Sequence, residues 1–265
     1  MNETPRVSVL MPAYNAQNFI GQAIESILTQ TFRNFEFIII NDGSTDKTPE
    51  IIQFYADRDK RIRFINNPEN QGLIAVLNQG LDICRGEYIA RMDSDDISLP
   101  GRLEAQVKYM DFHPACGVLG TSQVLFGDIN QPAFYQPVVH ILDIMTYNPV
   151  SHPTVMFRKS VIDEHNIRYN PDYKHCEDLE LWSRMIHITQ IHNLQTIFLY
   201  NRITAGNVTT THWEHQQKLT QKIRQQVKDY ILGNPEVISQ ILSSLQTEKP
   251  RIMVVSLDVA ALNKK

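Results

Sequence analysis

The hydrophobic positions of this chain change period several times within its first hundred residues. The run "RVSVLM" (6–11) is short and apolar and predicts a first strand. In "AQNFIGQAIESILTQ" (16–30), Phe19, Ile20, Ala23, Ile24, Ile27 and Leu28 fall on one face at helical spacing. "FEFIII" (35–40) is a continuous β-rich run suited to a central parallel strand buried on both faces. A helix is expected over 48–58, with Thr48 as N-cap and Pro49 at its first position. A strand "IRFINN" (62–67), a helix over 73–84 and a strand "EYIARM" (87–92) follow. Strict alternation of this kind specifies an α/β fold: a Rossmann-like, mostly parallel sheet flanked by helices.

The second half is less regular. Residues 102–112 and 177–186 read as helices, 115–126, 153–158 and 191–201 as strands, and 128–140 as a Pro-containing connection. From about 212 the pattern is a mixed helical tail, rich in Gln and Lys with a weaker apolar stripe, in which Lys218, Lys222, Arg224 and Lys228 can form a basic face. A solvated helix packed over a cleft is the plainer reading of that tail. Open α/β sheets bind ligands beyond the carboxyl ends of their strands. That rule selects "PAYN" (12–15), "NDGSTD" (41–46) and "DSDD" (93–96), which should meet at one sheet edge.

Composition narrows the picture. The 265 residues, 42% hydrophobic and 20% charged, suit one large α/β domain or a domain with an appended tail. A net charge of −4 argues against nucleic-acid binding driven by overall charge. Cys84, Cys116 and Cys176 are far apart and lack C-x-x-C spacing, which fits free thiols in a reducing compartment. The N-terminus has no apolar stretch after a basic start, and no segment approaches the roughly 20 apolar residues of a membrane helix. The expectation is a cytoplasmic protein, with peripheral contact at the inner face of a membrane left open.

The candidate chemistry starts at "DSDD". A D-x-D pair at a strand end can offer oxygen ligands to a hard divalent cation. An EF-hand loop starting at Asp93 fails, because Ser98 stands where glycine is required and Pro100 intrudes. The bland alternative is a solvated acidic turn capping the next helix. Asp42 follows a buried run and needs a partner, and its carboxylate could accept the imide N–H of a uracil. Tyr14 could stack on a nucleobase or simply pack. Glu177 and Asp178 open a helix, where acids are favoured by the dipole, and either could serve as a general base. His152 is a phosphate or acceptor contact, or a core histidine with a satisfied hydrogen bond. Neither G-x-G-x-x-G after the first strand nor a P-loop occurs, so dinucleotide redox and P-loop chemistry lose their support.

Taken in order, "VSVLMPAYN", "FEFIIINDGSTDKT", "GEYIARMDSDDISLPGRLEAQ", "SHPTVMFRKS" and "EDLELWSRM" closely resemble family 2 glycosyltransferases of the GT-A fold, over roughly residues 5–210. The resemblance implies inverting transfer of a sugar from a nucleotide diphosphate donor, a UDP-sugar by preference, to the hydroxyl of a saccharide or glycolipid acceptor in glycoconjugate synthesis. It implies a GT-A domain over 1–210, with a donor-binding part (5–100) and an acceptor-side part (101–210), and a helical extension over 211–265. By the resemblance, Pro12, Ala13 and Tyr14 border the nucleobase and Asp42 binds the uracil edge. Asp93 contacts ribose or sugar, with Ser94 beside it, and Asp95 ligates Mn2+ or Mg2+ on the diphosphate. Arg91 helps hold the donor or forms a strand-end salt bridge, and Asp96 is a helix-entry acid or a support behind the ligands. Asp178 is the catalytic base, with Glu177 as second choice; His152 and Arg202 are acceptor or phosphate contacts. Relatives commonly read Y-R-x-H late in the domain, where this chain has Thr204 in "YNRIT". Arg202, His212 or His215 then compensates, or the metal keeps more water.

Two rivals remain in view. A sugar-1-phosphate nucleotidyltransferase would carry a Gly-rich loop after the first strand, which "PAYNAQNF" lacks. The alternative is a non-catalytic nucleotide-sugar-binding protein of the same fold, which would need only the donor loops.

Overall fold

Four parallel strands form the first half of the sheet: β1 (Val7–Ala13), β2 (Phe35–Asp42), β3 (Ile62–Asn67) and β4 (Tyr88–Arg91), in the order β3-β2-β1-β4. The computed structural model describes residues 4–204 and 213–247. Every residue of β1 and β2 is buried, as in strands covered on both faces, and the polar Ser8 and Glu36 within them are paired, Ser8 Oγ donating to Glu36 Oε1 at 2.7 Å. Alternate residues serve opposite cores. Val7, Val9 and Met11 face α1 (Ile20–Leu28) and α2 (Thr48–Ala56), whereas Leu10, Ile38 and Ile40 face α3 (Leu73–Ile83).

Both central strands run two residues past their expected ends. Pairing of Pro12 with Ile40 and of Ala13 with Asn41 carries the ladder into the loop motifs, so Asp42 is the last residue of β2. Thr48 is the first residue of α2 and not its cap; its hydroxyl instead accepts from the Ala16 N–H at 2.7 Å.

Beyond β4 the sheet becomes mixed. β4 pairs antiparallel with β8 (Met156–Arg158), and β8 antiparallel with β6 (Cys116–Gly127). β6 runs parallel to β9 (Gln190–Ile203) through three register shifts, which bend the ladder. Short strands β5 (Ile97–Ser98) and β7 (Gln131–Ala133) add to β9 and β6. β7 lies inside the stretch read as a plain connection, and the expected strand over 153–158 begins as a 3-10 turn (His152–Thr154). Helices α4 (Arg102–Phe112), α5 (Ile141–Ile144), α6 (Lys159–Glu164) and α7 (Glu177–Met185) complete this half.

The tail forms α8 (Trp213–Gly233) and α9 (Pro235–Thr247). Ile223 and Val227 of α8 are buried with Ile144, Tyr173 and Leu179, a third core that fastens α8 to α5 and α7. The three cysteines are buried free thiols. Among the described residues no helix is long and apolar enough to cross a membrane. His212 and the apolar stretch 251–262 lie outside the described residues.

Candidate active site

The loops after β1 and β2 are stitched together by their own polar residues. Asn15, at φ 48°, accepts from the Thr45 N–H at 2.9 Å and donates its own N–H to Ser44 Oγ at 2.9 Å. Asp46 accepts from the N–H groups of Gln17 and Thr48 at 3.1 and 2.9 Å. Gly43, at φ 66°, lets the β2 loop pass so close to residues 69 and 70 that a Cβ would lie 2.4 Å from the Glu69 carbonyl carbon. Asp42 is buried and accepts from the N–H groups of Gln71 and Gly72 at 2.8 and 2.9 Å. Tyr14 stands 51% exposed at the mouth, a ring left accessible rather than packed.

At the end of β4 the carboxylate oxygens of Asp93, Asp95 and Asp96 come within 4.8 Å of one another. Asp93 accepts from Arg91 Nη1. Asp96 is buried and accepts from the Arg202 N–H at 2.8 Å, which ties the acidic loop to β9. Arg202 Nε donates to the Asp95 carbonyl at 2.8 Å, and its guanidinium lies 4.4 Å from the ring centres of both Phe19 and Phe126. Burial and the Asp93 charge push Asp95 up to about 6, and burial with both neighbouring acids holds Asp96 well above the usual carboxylate range. Three hard oxygen donors this close, with Asp95 and Asp96 raised by their acidic neighbours, suit a hard divalent cation, whose charge would reverse those shifts.

Arg91 joins the two halves. Its guanidinium is buried, with Nε lacking a partner among the described residues, and its charge acts on Asp93 and Asp96 on one side and on Glu177 and Asp178 on the other. Glu177 and Asp178, 80 residues and more from the acidic loop in sequence, thus lie within reach of the same buried charge. Burial, together with the Asp178 charge, pushes Glu177 up to about 7. Half-buried Asp178 is also raised by burial, opposed by the Leu179 N–H at 2.8 Å and the Asn148 amide at 2.6 Å. His152 is buried with Nε2 2.8 Å from the Tyr169 hydroxyl, and burial beside Arg91 holds its ring well below the ordinary histidine range. The geometry is that of a core histidine.

Several residues of the site have no expectation attached to them in sequence. Asn148, Tyr169 and Tyr135 come from irregular segments, and only the folded chain brings them to Asp178. Arg102 had a visible signal. It shares the buried face of α4 with Leu103, Gln106 and Val107, where a charge must have a structural partner. It is fully buried, donating to the Arg91 carbonyl at 2.7 Å and to Gln106 Oε1 at 3.0 Å, and so supports the strand end that carries Arg91. His215 lies with its ring 6.3 Å from that of His175, just before the acid pair, so its ring borders α7.

Comparison with known proteins supplies the class. The model of glycosyl transferase family 2 matches residues 8–171. An uncharacterized glycosyltransferase of Haemophilus influenzae is 34% identical over 262 residues, spanning 92% of this chain and 80% of that one. The putative glycosyltransferase EpsE of Bacillus subtilis is 39% identical over 188 residues, spanning 69% and 68%. Among solved structures, S. aureus TarS in complex with UDP-GlcNAc superposes with a TM-score of 0.69 at 22% identity, over 82% of this chain and 66% of that one. Mannosyltransferase PcManGT from Pyrobaculum calidifontis, in complex with GDP-Man and Mn2+, gives 0.63 at 15% identity, over 99% and 79%. At such identities the structural likeness speaks to the fold alone. The sequence relatives carry the family, the solved structures carry the architecture, and both agree: this chain belongs to glycosyl transferase family 2 and has the GT-A fold.

Proposed function

We propose that the chain transfers a sugar from a UDP-sugar to a hydroxyl of a saccharide or glycolipid acceptor, with inversion at the anomeric carbon. The observation that carries this reading is the buried Arg91, whose charge reaches both the acidic loop and the Glu177–Asp178 pair. A pure binder would need only the first of these. TarS with UDP-GlcNAc and PcManGT with GDP-Man and Mn2+ support a nucleotide-sugar donor and a divalent cation.

Each side chain then has a task. Pro12 and Ala13 border the base, and Tyr14 stacks on it. Asp42 accepts the uracil imide N–H; its oxygens hold one backbone amide each, and each has a further lone pair. Asp93 and Ser94 contact ribose or sugar. Asp93 is engaged by Arg91 and Asp96 by β9, so Asp95 is the ligand for Mn2+ or Mg2+. When bound, the ion supplies positive charge where the departing nucleoside diphosphate gathers negative charge. Asp178 removes the acceptor hydroxyl proton as that oxygen bonds to the anomeric carbon and the bond from that carbon to the diphosphate oxygen breaks. His152 and Arg202 hold the site from behind, His152 beside Arg91 and Arg202 beneath the Asp95 carbonyl.

A panel of nucleotide sugars, each with Mn2+, tests the reading by thermal stabilisation and release of nucleoside diphosphate. UDP-sugars should stabilise most and be turned over. No response to any member of the panel sinks the proposal, and binding without turnover favours the non-catalytic alternative.

A further inference from the structure

α8 lies beyond the residues that the family model matches, yet it grips the chain on both sides of Asp178. On one side Arg224 donates from Nη2 to the Thr146 carbonyl at 2.8 Å and from Nε to the Ile144 carbonyl at 3.3 Å. These are the last carbonyls of α5 and its exit turn, a place where a cation completes unsatisfied acceptors and meets the negative end of the helix. α5 has only four residues, too few to hold a helix without tertiary support. Two residues further on, Asn148 Nδ2 donates to Asp178 Oδ2 at 2.6 Å. On the other side Gln216 Nε2 donates to the carbonyl of His175, which sits at φ 73° directly before Cys176 and the acid pair.

We propose that Arg224 is a positioning residue for the base: by capping the exit of α5 it fixes the Asn148 amide on Asp178. This rests on the reading of Asp178 as the base. The Leu179 N–H holds Oδ1 and Asn148 holds Oδ2, so the two donors together set the plane of the carboxylate. Both donate to the ionised form and favour it. They act against burial, the main influence that raises Asp178, and against the groups around it: Glu177 on its own helix, Tyr169 and Cys176 from the segment before α7, and Tyr135 from the connection after β7. Arg91 of β4 acts with them. The basic residue of the tail thus acts through a loop and an amide on a carboxylate it does not touch.

The test is the titration of Asp178 itself in the full chain labelled with 13C-aspartate, its side-chain carbonyl resonance identified by its absence in Asp178→Asn. Asn148→Ala should move that titration upward. Arg224→Met should move it in the same direction by a smaller amount, and the double variant should match Asn148→Ala alone. Arg224→Lys, able to reach one of the two carbonyls, should recover part of the shift. If Arg224→Met does not fold, Arg224→Gln serves the same comparison. An Arg224 variant that titrates as the wild type, or one whose shift adds fully to that of Asn148→Ala, overturns the proposal. Release of UDP from UDP-GlcNAc with Mn2+ is measured separately. Turnover that survives in Asp178→Asn removes the base reading while leaving the titration result standing, and its loss there with an unmoved Arg224 variant removes only the positioning role.

Discussion

The carboxylate of Asp96 accepts the main-chain N–H of Arg202 at 2.8 Å, and the side chain of the same arginine returns to the carbonyl of Asp95 at 2.8 Å. Two residues more than a hundred positions apart thereby close the acidic loop against β9. Asp96 is thus an acceptor whose charge is a burden, since burial and its acidic neighbours favour its protonated form.

Asp96→Asn and Asp96→Ala should therefore part company. The amide keeps an acceptor for Arg202 and removes repulsion from Asp93 and Asp95, so metal-free Asp96→Asn should be at least as stable as the wild type at pH 8. Asp96→Ala removes the carboxylate that accepts the Arg202 N–H and should lose about 1–3 kcal/mol. Urea unfolding of the three proteins decides it.

Mn2+ should stabilise the chain more at pH 7.5 than at pH 5. The folded-state pKa of Asp95, about 6, lies above the ordinary aspartate value. In the metal-free protein, stability is therefore lost as the pH rises from about 4 to about 6, because the unfolded chain ionises first. A bound cation favours the ionised acids and recovers that loss, so the Mn2+-induced rise in Tm grows across the same window. An equal rise at both pH values would show that the cation is held elsewhere.

Gly43→Ala should be among the most damaging single-methyl changes in the chain. The position has φ 66°, and the added Cβ would meet backbone atoms of residues 69 and 70 at 2.4–2.5 Å. Backbone cannot yield as a flexible side chain would, and the following residues 71 and 72 are the ones that bind Asp42. A loss of about 3 kcal/mol or more is expected from strain and displacement together, read by thermal unfolding, with donor-induced stabilisation weakened as well.

What the sequence reveals follows from the range of each signal. β1, β2 and β3 and the helices between them were legible because buried parallel strands and amphipathic helices impose short periods, and the sheet-edge rule then brought "PAYN", "NDGSTD" and "DSDD" together. The ends of β1 and β2 were not, since main-chain pairing carries on through Pro12 and Ala13 and through Asn41 and Asp42 regardless of their side chains. Tertiary pairing also decided the Thr48 hydroxyl, which serves Ala16 rather than its own helix. The family pattern pointed to the ED pair, but its coupling to Arg91 depends on the β4–β8–β6 arrangement, which no local pattern encodes. Asn148, on a loop after a four-residue helix, carries no periodic signal at all.

Glu177→Gln should raise stability in alkaline solution and leave it unchanged in acid. Glu177 titrates near 7 in the fold against an ordinary 4.5, so its folded form resists ionisation. Stability falls as pH rises between those values and stays low above them. Glutamine has no charge to bury, and the gain at pH 8 should be about 2–3 kcal/mol, shrinking to nothing at pH 4. Denaturant unfolding at the two pH values measures the difference.

Asp178→Asn separates the two acids by function. Asparagine fills the same space and can still take the Leu179 N–H, so folding and donor-induced stabilisation should survive. It cannot accept a proton from an acceptor hydroxyl, and transfer should fall by about 10²–10⁴-fold, the usual contribution of a positioned base. Glu177→Gln should cost far less, because in this reading the proton goes to Asp178 and Glu177 acts only through its charge beside it. Should Glu177→Gln abolish transfer and Asp178→Asn spare it, the roles are reversed. Glu177 is then the proton acceptor, its pKa brought near the working pH by burial, and Asp178 is the neighbour whose charge adds to that shift.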